Sequence, residues 1–230
     1  MKIKILEFIE GAAAAKGFTV IIDVFRAFTV ACYAYDSGAS HIIATGNVTD
    51  AIELGKRYKH AVLAGERDEK RIEGFDFGNS PTEILKSNLN GATLIHTTTA
   101  GTSGLVNAHN ASVLITGSLV NAGAVVKYIK SFNPADVSLV AMGYRAIESA
   151  EEDLLCADLI ASRLKGGKGD FSGKINDLKD TSGRRFFNPE NIEFSPPTDF
   201  FLCTMIDRFN FILKGERRPD GNINLFKTDL

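Results

Sequence analysis

The chain has few cysteines, no long apolar run and almost no net charge, and each of these shortages excludes a class of protein. Its three cysteines, Cys32, Cys156 and Cys203, are odd in number and widely spaced, which argues against a disulfide framework and a zinc cluster. The longest strongly apolar stretch, Phe18 to Ile22, is far shorter than the ~20 residues of a membrane-spanning helix. A net charge of −2 gives no basic excess of the kind that nucleic-acid binders show. We therefore expect a cytoplasmic protein with neither a membrane nor a nucleic-acid partner.

Several catalytic motifs are also absent. The chain has no Gly-x-x-x-x-Gly-Lys-Ser/Thr phosphate loop, no Gly-x-Gly-x-x-Gly dinucleotide fingerprint and no Gly-x-Ser-x-Gly elbow. The cysteine-to-arginine spacing of tyrosine phosphatases is missing too, because Cys156 precedes Arg163 by seven positions and Cys203 precedes Arg208 by five. A phosphate-handling site in this chain would therefore use a hard cation held by carboxylates, with Mg²⁺ as the first candidate.

Short apolar runs alternate with amphipathic segments over much of the chain. The apolar runs predict strands at 19–22, 41–44, 61–64, 93–96, 112–115 and 137–140. The amphipathic segments predict helices at 27–37, 49–58, from 80 onward, 119–131 and 149–164. The expected capping residues are Thr49, Ser80 with Glu83, and Ser149 with Glu152. Because such alternation is typical of right-handed βαβ units, the predicted fold class is α/β, with a mainly parallel sheet and helices on both faces.

The pattern changes after residue 165. A glycine-rich loop at 166–169 leads into residues 170–197, which are polar and irregular. A late helix is predicted at 198–213, and its apolar side would be formed by Phe200, Phe201, Met205, Phe209 and Ile212. We therefore expect a main α/β core at 1–165 and an irregular C-terminal extension at 166–230 that packs on this core.

Polar residues and glycines follow five of the predicted strands. They occur at Asp23 to Arg26, Gly65 to Arg67, Thr97 to Thr102, Thr116 to Ser118 and Ala141 to Gly143. In open α/β sheets, ligands bind outside the carboxyl ends of the strands. One such loop means little, whereas five loops with acids, arginines, hydroxyls and glycines predict a ligand site at this edge of the sheet.

Two of these loops combine an acid with an arginine. Asp23 and Arg26 follow the first predicted strand, and Glu66 and Arg67 follow the third. A carboxylate suits a metal ion, and arginine forks onto phosphate or sulfonate oxygens. Each residue also has a structural alternative: Asp23 could cap the next helix, Arg26 could form a simple salt bridge, and the second pair could be an exposed turn.

The remaining polar residues have similar alternatives. The N–H groups of the stretch from Thr97 to Thr102 would bind an anion at a helix start, although ordinary capping explains the same residues. Glu152 and Asp153 lie in the first turn of a predicted helix, where acids suit the helix dipole. The four histidines show no metal-ligand spacing, and only His96 is a candidate neighbour of the site.

Six segments in chain order carry a more specific signal. They lie at 22–27, 64–67, 74–81, 97–102, 117–122 and 152–157, and the block from Gly74 to Pro81 (GFDFGNSP) is the most distinctive. Together they resemble the 2-phosphosulfolactate phosphatase family. The resemblance implies a Mg²⁺-dependent phosphatase that removes phosphate from 2-phospho-3-sulfolactate, giving 3-sulfolactate for coenzyme M synthesis.

The resemblance also assigns roles to residues. The catalytic candidates are Asp23, Arg26, Glu66 and Arg67. The candidates for substrate binding are Asn79, Ser80, Thr98, Thr99, Gly101, Thr102 and Ser118. The candidate Mg²⁺ ligands are Asp23, Glu66, Asp76 and Asp153. The implied partner is a small anionic phosphorylated substrate, and a homo-oligomer is left open.

Two positions depart from the family pattern. Ala100 stands where the family usually has asparagine, and Phe28 stands where it usually has a small hydroxyl residue. Both changes would reshape the anion pocket, so two alternatives stay open: a phosphatase for another small phosphorylated hydroxy acid, and a non-catalytic anion-binding protein. Phosphorylation of Asp23 and direct attack by water are also both open.

Overall fold

Ten strands form one sheet in the computed structural model, which describes residues 1–230. The strands are β1 (Lys2–Glu7), β2 (Gly17–Ile22), β3 (His41–Thr45), β4 (Ala61–Arg67), β5 (Lys70–Arg71), β6 (Thr93–Thr97), β7 (Ala111–Gly117), β8 (Asp136–Ala141), β9 (Phe211–Arg217) and β10 (Ile223–Asp229). The helices are α1 (Phe8–Ala14), α2 (Ala27–Asp36), α3 (Val48–Arg57), α4 (Pro81–Leu85), α5 (Gly101–Asn107), α6 (Ala122–Phe132), α7 (Glu151–Leu164), α8 (Ser172–Asp177) and α9 (Pro197–Cys203). Short 3₁₀ turns lie at Leu119–Asn121, Arg184–Phe187 and Pro189–Asn191. No helix combines the length and the hydropathy that crossing a bilayer requires.

The sheet consists of two parallel groups joined by a hairpin. Its strand order is β1-β8-β2-β7-β9-β10-β3-β6-β4-β5. The strands β1, β8, β2 and β7 are parallel to one another, as are β3, β6 and β4. Between the two groups, β9 and β10 pair antiparallel with each other and with β7 and β3. The predicted α/β class is confirmed.

Two strands that are distant in the sheet order contribute side chains to one site. The strands β2 and β4 are six positions apart in the sheet order, a distance of about 29 Å in a flat sheet at ~4.8 Å per strand. Yet Asp23, after β2, and Glu66, near the end of β4, line the same pocket. The two parallel groups run in opposite directions within the sheet, but a twist of about 20–25° per strand accumulates to about 120–150° over six steps. We infer that this twist, with curvature of the sheet, turns the carboxyl ends of both groups toward one side.

Helices cover both faces, as the alternation predicted. Along β2, Ile21 packs into the core with α1, α2 and α5. Its neighbours Val20 and Ile22 pack into a second core, with α6 and α7. Successive side chains of a strand point to opposite faces, so β2 is buried on both sides, and its carboxyl end is held rigidly between two cores.

Three local predictions are wrong. The N-cap of α3 is Asn47, whose side chain accepts a hydrogen bond from the N–H of Asp50 at 2.8 Å, rather than Thr49, which lies inside the helix. The N-cap of α7 is Ala150, with no side-chain cap, because the hydroxyl of Ser149 bonds to Glu7 instead. In contrast, Ser80 caps α4 as expected.

The third wrong prediction concerns the late helix. It ends at Cys203, and the residues from Phe211 onward form strand β9. The apolar residues of this region fit either period, and the tertiary partners decide: β9 finds hydrogen-bonding neighbours on both sides, in β7 and β10. Residues beyond 165 therefore contribute two strands to the middle of the sheet. The boundary at residue 165 stays a prediction.

Candidate active site

A small cavity of about 50 Å³ lies where the predicted loops meet. Side chains reach it from the loops after β2, β4, β6 and β8, from the start of α7 and from the 3₁₀ turn Arg184–Phe187. Five acids line it: Asp23, Glu66, Glu69, Glu152 and Asp153. Three arginines line it as well: Arg26, Arg145 and Arg185. The cavity therefore combines cation-binding and anion-binding side chains in one place.

Asp23 lies at the floor of this cavity. One carboxylate oxygen, Oδ1, accepts a hydrogen bond from the N–H of Ala27 at 3.0 Å, so the structural alternative of a helix-capping aspartate is realised in part. The other oxygen, Oδ2, accepts no hydrogen bond from the protein, and Asp23 still lines the cavity. The backbone of Gly101 packs against this oxygen so closely that an added Cβ would lie 2.6 Å from it. Capping thus orients Asp23 and leaves one oxygen free.

Glu66, near the end of β4, binds the threonine-rich turn at 97–102. Its Oε1 accepts the N–H of Thr99 at 2.7 Å, and its Oε2 accepts the N–H of Glu69 at 3.0 Å and the hydroxyl of Thr99 at 3.2 Å. The N–H group that we expected to bind a substrate anion is therefore bound to a carboxylate of the protein. Glu66 ties the loop after β4 to the loop after β6 at the wall of the cavity.

Three consecutive acids open helix α7, and the two that line the cavity, Glu152 and Asp153, differ in role. Asp153 accepts hydrogen bonds from the N–H of Val24 at 2.7 Å and from the N–H of Gly143 at 2.9 Å. It thereby holds the loops after β2 and β8 against the helix. Glu152 is equally buried, but its Oε2 has no hydrogen-bond partner. An unpartnered buried carboxylate oxygen is costly unless something else binds it.

Burial raises the pKa of three of these acids, and neighbouring carboxylates add to the shift. Burial raises the pKa of Asp23 to about 7, although the N–H of Ala27 opposes the shift. Burial raises the pKa of Glu152 while Arg185 opposes the change. Burial, reinforced by the charges of Glu152 and Asp23, raises the pKa of Asp153 well above its usual range. Burial thus favours the neutral form of each of these carboxyl groups.

Two of the three arginines are paired with acids outside the cavity lining, whereas Arg185 pairs with Glu69 inside it at 2.5 Å. Arg26 pairs with Asp199 at 2.7 Å and also donates to the carbonyl of Phe194 at 2.6 Å. The alternative of a salt bridge is therefore correct for Arg26, although its Nε is left without a partner. At the exposed rim, Arg145 pairs with Asp68 at 2.8 Å.

Several predicted site residues do not reach the cavity. Thr98 and Thr102 are buried and bond to each other, with the Thr98 N–H donating to the Thr102 hydroxyl at 2.8 Å. Ser118 is buried against Thr29, with 2.7 Å between their hydroxyl oxygens. Ser80 donates to Asp199 at 2.8 Å as it caps α4. Each of these four hydroxyl groups therefore has a hydrogen-bond partner within the protein.

Arg67 and Asp76 also lie away from the cavity lining. Arg67 donates to the carbonyl of Glu66 at 2.6 Å and to the hydroxyl of Thr97 at 3.1 Å. Asp76 is exposed, and its Oδ2 accepts the N–H of Leu63 at 2.8 Å. The structure therefore does not bring Asp76 to the other proposed Mg²⁺ ligands. Of the predicted substrate-binding residues, Asn79 and Thr99 line the cavity.

His96 is the neighbour of the site that the sequence suggested. It is buried below Asn79, with 3.2 Å between its Nε2 and the Asn79 Oδ1, and its Nδ1 has no partner. Burial lowers the pKa of His96 to about 4. The ring is therefore neutral at physiological pH and supports Asn79 from behind.

Sequence reasoning missed Glu69, Tyr144, Arg145 and Arg185, all of which line the cavity. Tyr144 and Arg145 directly follow the loop at Ala141 to Gly143, so extending that loop would have included them. Arg185 lies in the segment interpreted as irregular, where only its position in an Arg-Arg pair was visible. Its placement depends on tertiary structure.

The two departures from the family pattern differ in position. Ala100 lines the cavity at the N-cap of α5, which has no side-chain cap. Phe28 is buried in the core with α2 and does not line the cavity. Phe28 is therefore not part of the cavity lining, whereas Ala100 is, at the position where the resemblance implies an asparagine.

The fold and this cavity define an α/β protein with an acid-rich, arginine-rimmed site beside the carboxyl ends of its strands. A family model described as 2-phosphosulpholactate phosphatase matches residues 3–188. A probable 2-phosphosulfolactate phosphatase of Caldanaerobacter subterraneus subsp. tengcongensis is 39% identical, covering 85% of this chain and 86% of the relative. Relatives with the same description occur in Bacillus subtilis (30% identical, covering 91% of both chains) and Clostridium perfringens (32% identical, covering 84% of this chain and 79% of the relative). The chain belongs to the 2-phosphosulpholactate phosphatase family, and thus to the phosphoric monoester hydrolases.

Proposed function

We propose that this protein is a Mg²⁺-dependent phosphatase that hydrolyses 2-phospho-3-sulfolactate to 3-sulfolactate and phosphate. The observation that carries the proposal is the cluster of Asp23, Glu66, Glu152 and Asp153, which line one cavity with arginines at its rim. The substrate comes from the names of the family and of its curated relatives. The product would serve coenzyme M synthesis, as the family resemblance implies.

The donor set fits a Mg²⁺ ion that the substrate helps to bind. The ion pairs at the cavity are Arg26–Asp199, Arg145–Asp68 and Arg185–Glu69, so none of the four clustered acids has a cationic partner. No group of three or more acid, histidine or cysteine side chains is preassembled around a metal position. Mg²⁺ commonly uses one or two carboxylates together with water and substrate phosphate.

Asp23 and Glu152 are the residues that we propose to hold the ion. Asp23 keeps Oδ2 free, and Glu152 has an unpartnered Oε2, whereas both oxygens of Glu66 and of Asp153 accept hydrogen bonds. When bound, Mg²⁺ would offset the charge of the phosphoryl oxygens and make attack on phosphorus easier. Asp76 is left out of this site because it lies elsewhere on the surface.

The protein's own groups position the substrate for attack. Arg26 lines the cavity and keeps a buried, unpartnered Nε, and a guanidinium stabilises the charge that builds up on a transferring phosphoryl group. Asp23 lies beside it, either to take a proton from the attacking water or to attack phosphorus itself. Trapping with ³²P-labelled substrate in rapid acid quench separates the two routes, because only the second leaves label on the protein.

The test is phosphate release from 2-phospho-3-sulfolactate and from related phosphorylated hydroxy acids, with Mg²⁺ and with a chelator. We expect release to require Mg²⁺ and to be fastest on the sulfonated substrate. Asp23→Asn should lower kcat by about 10²–10³-fold, as the loss of one preorganised catalytic group does. Asp36→Asn, an exposed change at the end of α2, is the matched control and should leave kcat unchanged.

Full activity in chelator would contradict the metal proposal, and full activity of Asp23→Asn would contradict the role of that residue. Release from none of the substrates would favour the non-catalytic anion-binding alternative. A cytoplasmic location, a homo-oligomeric state and the lack of a nucleic-acid partner remain predictions.

Another small phosphorylated hydroxy acid is the second candidate substrate, and Ala100 is the observation that favours it. This residue lines the cavity where the family usually has an amide donor. If the missing donor has changed the specificity, a non-sulfonated phosphoacid should have the highest kcat/KM, and Ala100→Asn should shift the ranking toward the sulfonated substrate.

A further inference from the structure

Two open hollows adjoin the acidic cavity, and they differ in charge. One shares Glu69 with the cavity and is lined by Glu83, Glu190 and Glu193 as well as by Lys70 and Arg71. The other shares Arg185 with the cavity and is lined by Lys179 and Arg184, with Asp180 as its single acid. The first hollow is net negative and the second is net positive. An anionic ligand would therefore favour the second, which we call the basic hollow.

Arg185 is the boundary between the cavity and the basic hollow. Its Nη1 bonds to Glu69 at 2.5 Å and its Nη2 donates to the carbonyl of Phe25 at 3.0 Å, while its Nε has no partner. The side chain of Asn191 donates to the carbonyl of Arg185 at 3.1 Å and fixes the backbone at this point. One guanidinium is thus held in a fixed position, and its buried Nε is left without a protein partner.

The other two cations of the basic hollow have no carboxylate partner. No ion pair involves Lys179 or Arg184, and the Lys179 ammonium lies 5.1 Å from the centre of the Phe201 ring. The basic hollow has a volume of about 810 Å³ and opens to solvent. Cations without partners beside a bound guanidinium are suited to carboxylate or sulfonate oxygens.

The small size of the acidic cavity favours a second binding place for the rest of a larger substrate. A water molecule needs roughly 10–15 Å³ of such space, so a cavity of about 50 Å³ holds only a few water-sized groups. A phosphoryl group nearly fills such a space. The carbon chain and the further anionic groups of a longer substrate would extend from it toward an adjoining hollow.

We propose that the basic hollow formed by Lys179, Arg184 and Arg185 is the subsite for the second anionic group of the substrate, its sulfonate or carboxylate. This inference rests on the proposed function, because it assumes that the phosphoryl group lies in the acidic cavity. Lys179 and Arg184 are specificity-determining residues in this arrangement, and Arg185 links the subsite to the reacting group.

The test uses the double variant Lys179→Gln/Arg184→Gln, in which neither lost side chain has a carboxylate partner. Binding of 3-sulfolactate and of inorganic phosphate is measured by calorimetry in the presence of Mg²⁺. We expect 3-sulfolactate to bind about tenfold more weakly, the effect of losing two exposed ion pairs, and inorganic phosphate to bind within about twofold of the wild type. The control Arg57→Gln/Lys59→Gln removes the same charges from an exposed surface and should change neither affinity.

Steady-state kinetics give an independent readout. The double variant should raise KM for 2-phospho-3-sulfolactate with kcat unchanged, as loss of uniform binding does, and leave phenyl phosphate turnover unaltered. Unchanged 3-sulfolactate binding, an equal loss of phosphate binding, or no 3-sulfolactate binding by the wild type would each overturn the subsite. Failure of the proposed function looks different, since the wild type would then release no phosphate whatever its affinity for 3-sulfolactate.

Discussion

Gly101 sets the position of the Asp23 carboxylate, and replacing it with alanine should damage both stability and turnover. A Cβ at this position would lie 2.6 Å from Oδ2 of Asp23, 2.7 Å from Cβ of Ala27 and 3.1 Å from Cβ of Asp23. Real Cβ atoms essentially never approach another atom within 3.0 Å. Two of the three neighbouring atoms belong to Asp23 itself and the third to Ala27 in α2, so relief of the clash moves that carboxylate.

The expected size of the effect comes from two opposing contributions. Overpacking of this kind costs about 1–3 kcal/mol, and replacing a helical glycine by alanine returns roughly 0.5–1 kcal/mol. We therefore expect Gly101→Ala to lower the free energy of unfolding by about 1–2 kcal/mol. A misplacement of about 1 Å at a reacting group costs on the order of 10²-fold in rate, so kcat should fall much more than stability does.

The matched control is Gly173→Ala. Gly173 lies in helix α8 and has no heavy atom within 4 Å of an added Cβ, so the same change there should be neutral or stabilising by roughly 0.5–1 kcal/mol. Urea unfolding and phosphate release on both variants complete the experiment. An alternative role for Gly101 is to donate its N–H to a substrate anion. Alanine keeps that N–H, so under this alternative Gly101→Ala should retain full turnover. A Gly101→Ala variant as stable and active as Gly173→Ala would refute the steric argument.

The remaining predictions concern two buried polar groups. The pKa of His96 is about 6.5 in the unfolded chain, and burial lowers it to about 4 in the folded protein. Because the unfolded chain therefore binds the proton first, the free energy of unfolding should fall as the pH drops from 6.5 toward 4, by up to about 3 kcal/mol. In urea unfolding measured over this pH range, His96→Gln should not show this loss, whereas the exposed control His109→Gln should. The same pH dependence in the wild type and in His96→Gln would contradict the assignment of the loss to His96. Asp199→Ala should lower the free energy of unfolding by about 3–5 kcal/mol, because it leaves the buried Arg26 without its carboxylate partner. The control Asp220→Ala, at a more exposed ion pair, should lower it by less than about 1 kcal/mol. Similar losses in the two variants would count against a special role for Asp199.

Features that depend only on residues adjacent in the chain could be predicted from the sequence. The strand at Thr19–Ile22 and the polar residues after it could be recognised because a buried strand is apolar and its end is not. Asp23 and Glu66 were found in this way, and both line the cavity. The cap at Ser80 was also visible, because serine before proline is a helix-start signal.

Features that depend on distant pairing could not be predicted in the same way. The apolar residues around Phe209 and Phe211 fit a helix or a strand equally well, and only the neighbouring strands β7 and β10 decide between them. Thr98, Thr102 and Ser118 have hydroxyls suited to an anion, but these hydroxyls bond to other protein groups. A sequence shows which side chains can bind a ligand and cannot show which of them the fold has already used.

The C-terminal segment completes the site instead of merely covering it. Arg26, from the loop after β2, donates to the carbonyl of Phe194 in this segment, and Arg185, from the segment, donates to the carbonyl of Phe25 in that loop. Each of the two segments thus donates an arginine side chain to a backbone carbonyl of the other, and both arginines line the cavity. Because the acids of the cavity come from the first part of the chain and Arg185 from the last, neither part alone contains the combination on which the proposed chemistry depends.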